Sequence, residues 1–134
     1  MRIELIAEID GQKVKGLSQM KALADKGNIE ALNLLGEWMM MGFECSPDPD
    51  FYVSCFKEAA NKGNTQGMLN LAVCYMEERG VPADFYAAER WIRAAIEGGD
   101  REGIELFKEL YLTTIGNHKP DVRAYVRTMK AFDP

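Results

Sequence analysis

The chain has 134 residues, of which 47% are hydrophobic and 28% charged, a composition that suits one globular domain and excludes intrinsic disorder. Its formal net charge of −5 argues against a nucleic-acid binder and against an electrostatic membrane anchor, because both need a basic surface. No stretch approaches the roughly 20 apolar residues that span a bilayer, and the N-terminus lacks the features of a signal peptide, so we expect a cytoplasmic protein.

The chain is predicted to be a single domain, 1–134, in which residues 1–15 form an N-terminal cap and residues 16–134 the main body. Apolar residues alternate with more polar ones at Ile3, Leu5, Ala7 and Ile9. Asp10-Gly11, a tight-turn dipeptide, follows them. This pattern predicts a short β-hairpin, although a frayed helix fits nearly as well. Either could cover the first helix of a stack of helices.

After residue 15, apolar residues at spacings of three and four predict only helices. Glycine closes each helix, and proline or an acidic or amide residue opens the next, which marks the boundaries. The predicted helices span residues 16–26, 28–41, 48–62, 64–78, 83–98, 100–113 and 121–132.

One boundary motif returns at a period of 36 residues, as Gly27-Asn28, Gly63-Asn64 and Gly99-Asp100. A glycine at positive φ recaptures the last carbonyls of the helix that ends, and the Asn or Asp side chain caps the helix that begins. A connection this short predicts antiparallel neighbours. The motif therefore indicates three stacked helix-pair units.

The same offset aligns core positions beyond the glycines. Small residues align at Ala31, Gly67 and Gly103, and larger apolar residues align at Leu35, Leu71 and Phe107, at Met20, Phe56 and Ile92, and at Met39, Tyr75 and Tyr111. Self-similarity at such a period is typical of stacked supersecondary units.

The second unit carries the most specific pattern, with Gly67, Leu71-Ala72, Tyr75, Gly80, Asp84, Ala88, Trp91, Ala94-Ala95 and Gly98. This pattern resembles the Sel1-like repeat, a relative of the tetratricopeptide repeat, over roughly residues 16–134. The resemblance implies an all-α, right-handed α/α superhelix of about three helix pairs that serves as a protein-binding scaffold.

The resemblance also implies that the first helix of each pair lines a concave face. We therefore expect the positions between its core columns to contact a partner, with an apolar strip exposed in the second unit. The predicted partner-binding residues are Glu30, Asn33, Glu37, Met40, Gln66, Leu69, Val73, Met76, Glu105, Glu109 and Leu112. The alternative is that the ends of a short superhelix cover this strip.

Three other features have simpler interpretations. Cys45, Cys55 and Cys74 align with apolar residues elsewhere in the repeat, so we expect them to act as small hydrophobic residues, without metal or cofactor. Trp38 and Met39 are predicted to be half-buried and core, respectively, and Met40 is the surface candidate of that run. His118, the one histidine, is predicted to be solvated in a loop.

The predicted function is a non-catalytic module that binds a protein or peptide, with basic partners preferred because the rim is acidic. An adaptor and an immunity protein that neutralises a co-produced toxin are the two alternatives within this class. A hydrolase ranks below both, since no activated nucleophile or acid–base set can be assembled. Homodimerisation through the hairpin or the third unit is a further alternative.

Overall fold

The computed structural model describes residues 4–132. Within that range two strands precede seven helices: β1 (Ile6–Ile9), β2 (Gln12–Lys15), α1 (Gly16–Asp25), α2 (Ile29–Met41), α3 (Pro49–Asn61), α4 (Thr65–Glu77), α5 (Phe85–Glu97), α6 (Glu102–Leu112) and α7 (Val122–Phe132). Every predicted helix is present, with its ends within two residues of the prediction. None of the helices in this range is long and apolar enough to cross a membrane.

The helices pair as α2–α3, α4–α5 and α6–α7, and each packs on its neighbours in the sequence. We call α2, α4 and α6 the A helices and α3, α5 and α7 the B helices. Neighbouring A helices also contact one another, α2 with α4 and α4 with α6. Helix α1 packs on α2 as a B helix packs on the next A helix. The predicted short α/α superhelix of three helix pairs is confirmed.

The repeated Gly-Asn motif has the predicted geometry. Gly27, Gly63 and Gly99 have φ of +93°, +91° and +95°, values at which glycine avoids the steric cost of a Cβ atom. The side chains of Asn28 and Asn64 accept hydrogen bonds from backbone N–H groups of the helices that follow, at 2.9 and 2.7 Å. These bonds satisfy donors that a helix leaves unpaired at its first turn.

The connection inside each helix pair ends in an aspartate. Asp48, Asp84 and Asp121 each accept a hydrogen bond from the backbone N–H three residues later, at 3.3, 3.0 and 2.9 Å. Each B helix therefore begins with a side-chain cap that the sequence predicted.

The aligned columns form the core. Met20, Phe56 and Ile92 are completely buried, so the 36-residue period repeats one packing position three times. The column of small residues, Ala31, Gly67 and Gly103, has a steric reason. A Cβ atom on Gly67 would lie 2.9 Å from the Cβ atom of Ala59. Helices α3 and α4 approach too closely there for a larger side chain.

The N-terminal hairpin is confirmed. Strands β1 and β2 pair antiparallel, with Ile9 opposite Gln12, and the turn residues Asp10 and Gly11 both have positive φ, as a two-residue hairpin turn requires. Leu5, Ile9 and Val14 are buried in a cluster with residues of the first helices. Ile3, which the alternation included, lies outside the described residues.

A long-range contact ties α1 to the connection between α2 and α3. Helix α1 has no side-chain cap of its own. Instead, a carboxylate oxygen of Glu44 accepts a hydrogen bond from the backbone N–H of Leu17 at 2.9 Å. Glu44 has a φ of +64°, an unfavourable conformation for a residue with a side chain. The bond to α1 compensates part of that cost.

Candidate partner-binding face

All eleven predicted partner-binding residues lie on the A helices, but their exposure differs. Five are exposed: Glu30, Gln66, Glu105, Glu109 and Leu112. Four are half-buried: Glu37, Met40, Val73 and Met76. Asn33 and Leu69 are buried. The structure thus places the predicted set on one series of helices and removes two of its members from the accessible surface.

The expectation that Leu69 is presented to solvent is wrong. Its side chain is 7% exposed and belongs to a core cluster with Phe107 and Leu110 of α6. Helical periodicity in the sequence predicts one buried side and one solvent-exposed side for each A helix. In the fold, α4 also contacts the A helices on both flanks, and Leu69 occupies the flank that faces α6. The predicted apolar strip is therefore narrower, consisting of half-buried Val73 and Met76.

A polar network occupies the corresponding flank between α2 and α4. The Nδ2 atom of Asn70 donates to Oδ1 of Asn33 at 2.9 Å and to Oε1 of Glu37 at 2.7 Å. Asn33 is 4% exposed, and its own amide nitrogen lies 3.3 Å from the same Glu37 oxygen. The network satisfies the buried amide of Asn33, which would otherwise be costly to bury.

Asn70 is the residue of this face that the prediction missed. The other units have Leu34 and Leu106 at the equivalent position. An asparagine in the middle of an apolar helix, where its helix propensity is poor, was the available signal in the sequence. Asn70 of α4 bonds to residues of a different helix, α2. Its unusual position in the sequence therefore marks it as notable but does not identify its hydrogen-bond partners.

A second polar contact joins α4 to the beginning of α6. Nε2 of Gln66 donates to Asp100 at 2.8 Å and to Glu102 at 3.1 Å, and the hydroxyl of Thr65 donates to Asp100 at 3.0 Å. Asp100, predicted as the N-cap of α6, lies one residue before the observed N-cap, Arg101, and accepts a backbone hydrogen bond from Glu102 at 3.1 Å. Its side chain links two repeats. A shallow depression lies between α2 and α4, lined by Glu30, Asn33, Leu34, Glu37, Asn64 and Gln66.

Negative charge is concentrated on the A helices. Together they contain six glutamates and one lysine, Lys108, a net charge of −5 that equals the formal net charge of the whole chain. Glu77 is paired with Arg79 at 2.6 Å. The other five glutamates, Glu30, Glu37, Glu102, Glu105 and Glu109, have no salt bridge with any residue in 4–132.

The tryptophan and methionine run differs from its prediction in two respects. Trp38 is buried, 7% exposed, in place of half-buried, and Met40 is half-buried against the core cluster around Phe56 and Leu71. Met41 is the exposed member, at 52%. The neighbouring helices therefore cover a wider part of the α2 surface than the core columns indicate, so that Trp38 is buried and Met40 is half-buried.

His118 is not the solvated loop residue that was predicted. Backbone hydrogen bonds of 2.9 and 2.8 Å between Ile115 and His118 close a tight turn. The turn places the imidazole ring of His118 parallel to the phenyl ring of Phe85, and the two ring centroids are 3.6 Å apart. Its Nδ1 atom is buried without a hydrogen-bond partner among the described residues. The ring packs as an aromatic side chain against α5.

Two of the three cysteines pack as the columns indicate, while Cys45 is half-buried. Cys55 and Cys74 are buried, and burial raises the pKa of each thiol to about 11, which keeps the thiol neutral and unreactive. Among residues 4–132 no group of His, Cys, Asp and Glu has an arrangement that could hold a metal ion.

Comparison with known proteins identifies the repeat. The sequence profile of the Sel1 repeat matches residues 29–64 and 65–100. A Sel1 repeat protein from Oxalobacter formigenes has 26% sequence identity and a TM-score of 0.59, with 60% of this chain and 62% of that chain covered. No curated protein matches.

A second solved structure is that of c5321, a protective antigen present in uropathogenic Escherichia coli strains that displays an SLR fold. It has 24% identity and a TM-score of 0.70, and the match covers 87% of this chain but only 25% of c5321. This chain therefore spans less than two thirds of either solved protein. Because two Sel1 repeats account for more than half of its residues, the chain belongs to the Sel1 repeat family.

Proposed function

We propose that this Sel1 repeat protein is a non-catalytic interaction module, whose A-helix face binds a basic segment of a partner protein. The Sel1 repeat fold generally serves as a scaffold for protein–protein interaction and is typically non-catalytic. The observation that carries the proposal is the charge distribution. The A helices hold the whole net negative charge of the chain, and five of their six glutamates lack a salt bridge within residues 4–132.

Hydrogen-bonding capacity supports the same class of partner. Asn70 and Gln66 direct their amide hydrogens toward Asn33, Glu37, Asp100 and Glu102 within the protein. What remains for a ligand is mainly acceptor oxygens: the amide oxygen of Asn70 and the carboxylates. Lysine and arginine side chains supply only donors, so they complement this surface. The half-buried side chains of Met40, Val73 and Met76 and the exposed Leu112 offer apolar contact for the aliphatic parts of such residues.

The binding test uses the glutamates that line the depression between α2 and α4. We would measure the affinity of a labelled helical peptide rich in Lys and Arg for the wild type and for Glu30→Gln/Glu37→Gln. Two rim charges at about 0.5 kcal/mol each predict a loss of about fivefold, together with a weaker dependence on salt. Gln can still accept the bond from Asn70, so the polar network should persist.

The matched control removes two exposed glutamates elsewhere, Glu8→Gln/Glu97→Gln, and should bind like the wild type. Equal weakening in both variants would indicate a non-specific effect of net charge and would contradict the proposal. A Glu-rich peptide of the same length should not bind. An immunity role is the special case in which the basic partner is a co-produced toxin. In that case co-expression of this chain would restore growth to cells that make the toxin.

A further inference from the structure

Helix α7 has an exposed side that is both apolar and basic. Ala124, Tyr125, Met129 and Phe132 pack against the core, while on the other side Val122 is 62% and Val126 46% exposed. The helix also carries three cationic residues and no acidic one; the cationic residues, all exposed, are Arg123, Arg127 and Lys130. None of them forms a salt bridge with another residue in 4–132.

The adjacent helix α6 directs two carboxylates toward the same end of the superhelix. Asn70 of α4 bonds to Asn33 and Glu37 of α2, so these two positions face the following A helix. One repeat later, Leu69 occupies the position of Asn33 and is buried against α6. Two repeats later the equivalents are Glu105 and Glu109, and no A helix follows α6 within the described residues. Both glutamates are exposed.

The spacing of the two sets of charges matches in an antiparallel sense. Along α6 the glutamates stand at 102, 105 and 109, at intervals of three and four. Read backwards along α7, the cations stand at 130, 127 and 123, at the same intervals of three and four. Residues at these intervals share one face of a helix. An α7 helix laid antiparallel on α6 therefore brings each cation to a carboxylate.

Within one copy, α6 and α7 are also aligned along their common axis direction in the way that a symmetric pairing requires. The backbone N–H of Asp121 donates to the carbonyl oxygen of Tyr111 at 2.9 Å, so the beginning of α7 is level with the end of α6. With antiparallel helices of equal rise, Arg123 is then level with Glu109 and Arg127 with Glu105. A two-fold axis parallel to the helices preserves these heights and places α7 of one copy on α6 of the other.

We propose that this end of the superhelix, formed by α6 and the exposed side of α7, is a two-fold interface with a second copy of this chain. Arg123 and Arg127 of one copy pair with Glu109 and Glu105 of the second, and each pair occurs twice because the interface is isologous. Lys130 comes level with Glu102, whose carboxylate also accepts the hydrogen bond from Gln66 of α4. The contact covers Val122 and Val126. This interface uses Glu105 and Glu109, two of the five A-helix glutamates without a salt bridge in 4–132, and leaves Glu30 and Glu37 in the α2–α4 depression open to a basic partner.

The test is a reciprocal charge reversal followed by light scattering after size-exclusion chromatography. The wild type should have twice the 15.1 kDa mass of the chain and should dissociate as salt is raised, because the pairs lie near the surface. Arg123→Glu/Arg127→Glu should be monomeric, and so should Glu105→Arg/Glu109→Arg. An equimolar mixture of these two variants should form a heterodimer, since it restores both halves of the interface.

The mixture also shows that the single variants are folded. As a matched control, Lys57→Glu/Arg90→Glu reverses two exposed cations on α3 and α5 and should remain dimeric. The proposal is overturned if the wild type is monomeric at about 100 μM, if a reversal variant remains a dimer, or if the mixture fails to associate. A monomeric wild type that sediments with phosphatidylserine vesicles, but not with phosphatidylcholine vesicles, would assign α7 to an anionic lipid surface instead.

Discussion

Replacing Leu69 by alanine distinguishes the buried position in the structure from the surface position that the repeat pattern predicts. The substitution removes three carbon atoms, and at about 0.8 kcal/mol for each buried CH₂ the lost transfer free energy is about 2.4 kcal/mol. Because Leu69 is only 7% exposed, nearly all of this is lost on substitution. A cavity that collapses incompletely next to Phe107 and Leu110 adds to it, so we expect a loss of about 3 kcal/mol.

The assay is urea unfolding followed by circular dichroism in the far ultraviolet. The transition midpoint should fall without a change in the slope of the unfolding free energy against urea concentration, because the surface exposed on unfolding is nearly unchanged. The control is Leu112→Ala, which removes the same side chain from a position on α6 that is 36% exposed. We expect it to lose less than about 1 kcal/mol.

A loss of less than about 1 kcal/mol for Leu69→Ala, or a loss equal to that of Leu112→Ala, would refute the assignment of residue 69 to the flank that packs on α6. Glu105 and Glu109, which are assigned to the flank of α6 that faces away from α4 by the same repeat alignment, would then lose that assignment. The expected result, in contrast, would make Leu69 unsuitable as a probe of partner binding, since its substitution disturbs the fold.

Three further predictions concern local features. Glu44→Ala should cost about 1 kcal/mol of stability and speed amide hydrogen exchange at Leu17, because the first turn of α1 loses the hydrogen bond that it donates to the Glu44 carboxylate. Gly63→Ala should cost about 1 kcal/mol in urea unfolding for conformational reasons alone, since φ is +91° and a Cβ atom there would meet nothing within 4 Å. Cys55 and Cys74 have pKa values raised from 9.0 to about 11 by burial, so above pH 9 the unfolded chain binds fewer protons than the folded one. Stability should therefore be fully present below pH 9 and fall between pH 9 and about 11, and urea titrations should show a smaller fall for Cys55→Ala/Cys74→Ala than for the wild type.

The elements that the sequence predicted correctly depend on short stretches of chain. The positive φ of Gly27, Gly63 and Gly99 follows from where a helix must stop, and the caps at Asn28 and Asn64 follow from where the next must start. Both signals lie within a few residues of the structure they specify. Repetition at 36 residues then made the stacking of helix pairs predictable, because each unit can bury its apolar face only against its neighbours.

The side of a helix that faces a neighbour was set only by the tertiary structure. Leu69 and Asn33 share one column of the repeat, and both are buried, one by apolar contact with α6 and the other by hydrogen bonding to Asn70. His118 lies on Phe85, 33 residues earlier in the chain. Helical periodicity distinguishes the buried side of a helix from its exposed side, but it gives no information about lateral contacts between A helices. Those contacts depend on the distance and angle between units, which the summed packing of all the helices determines.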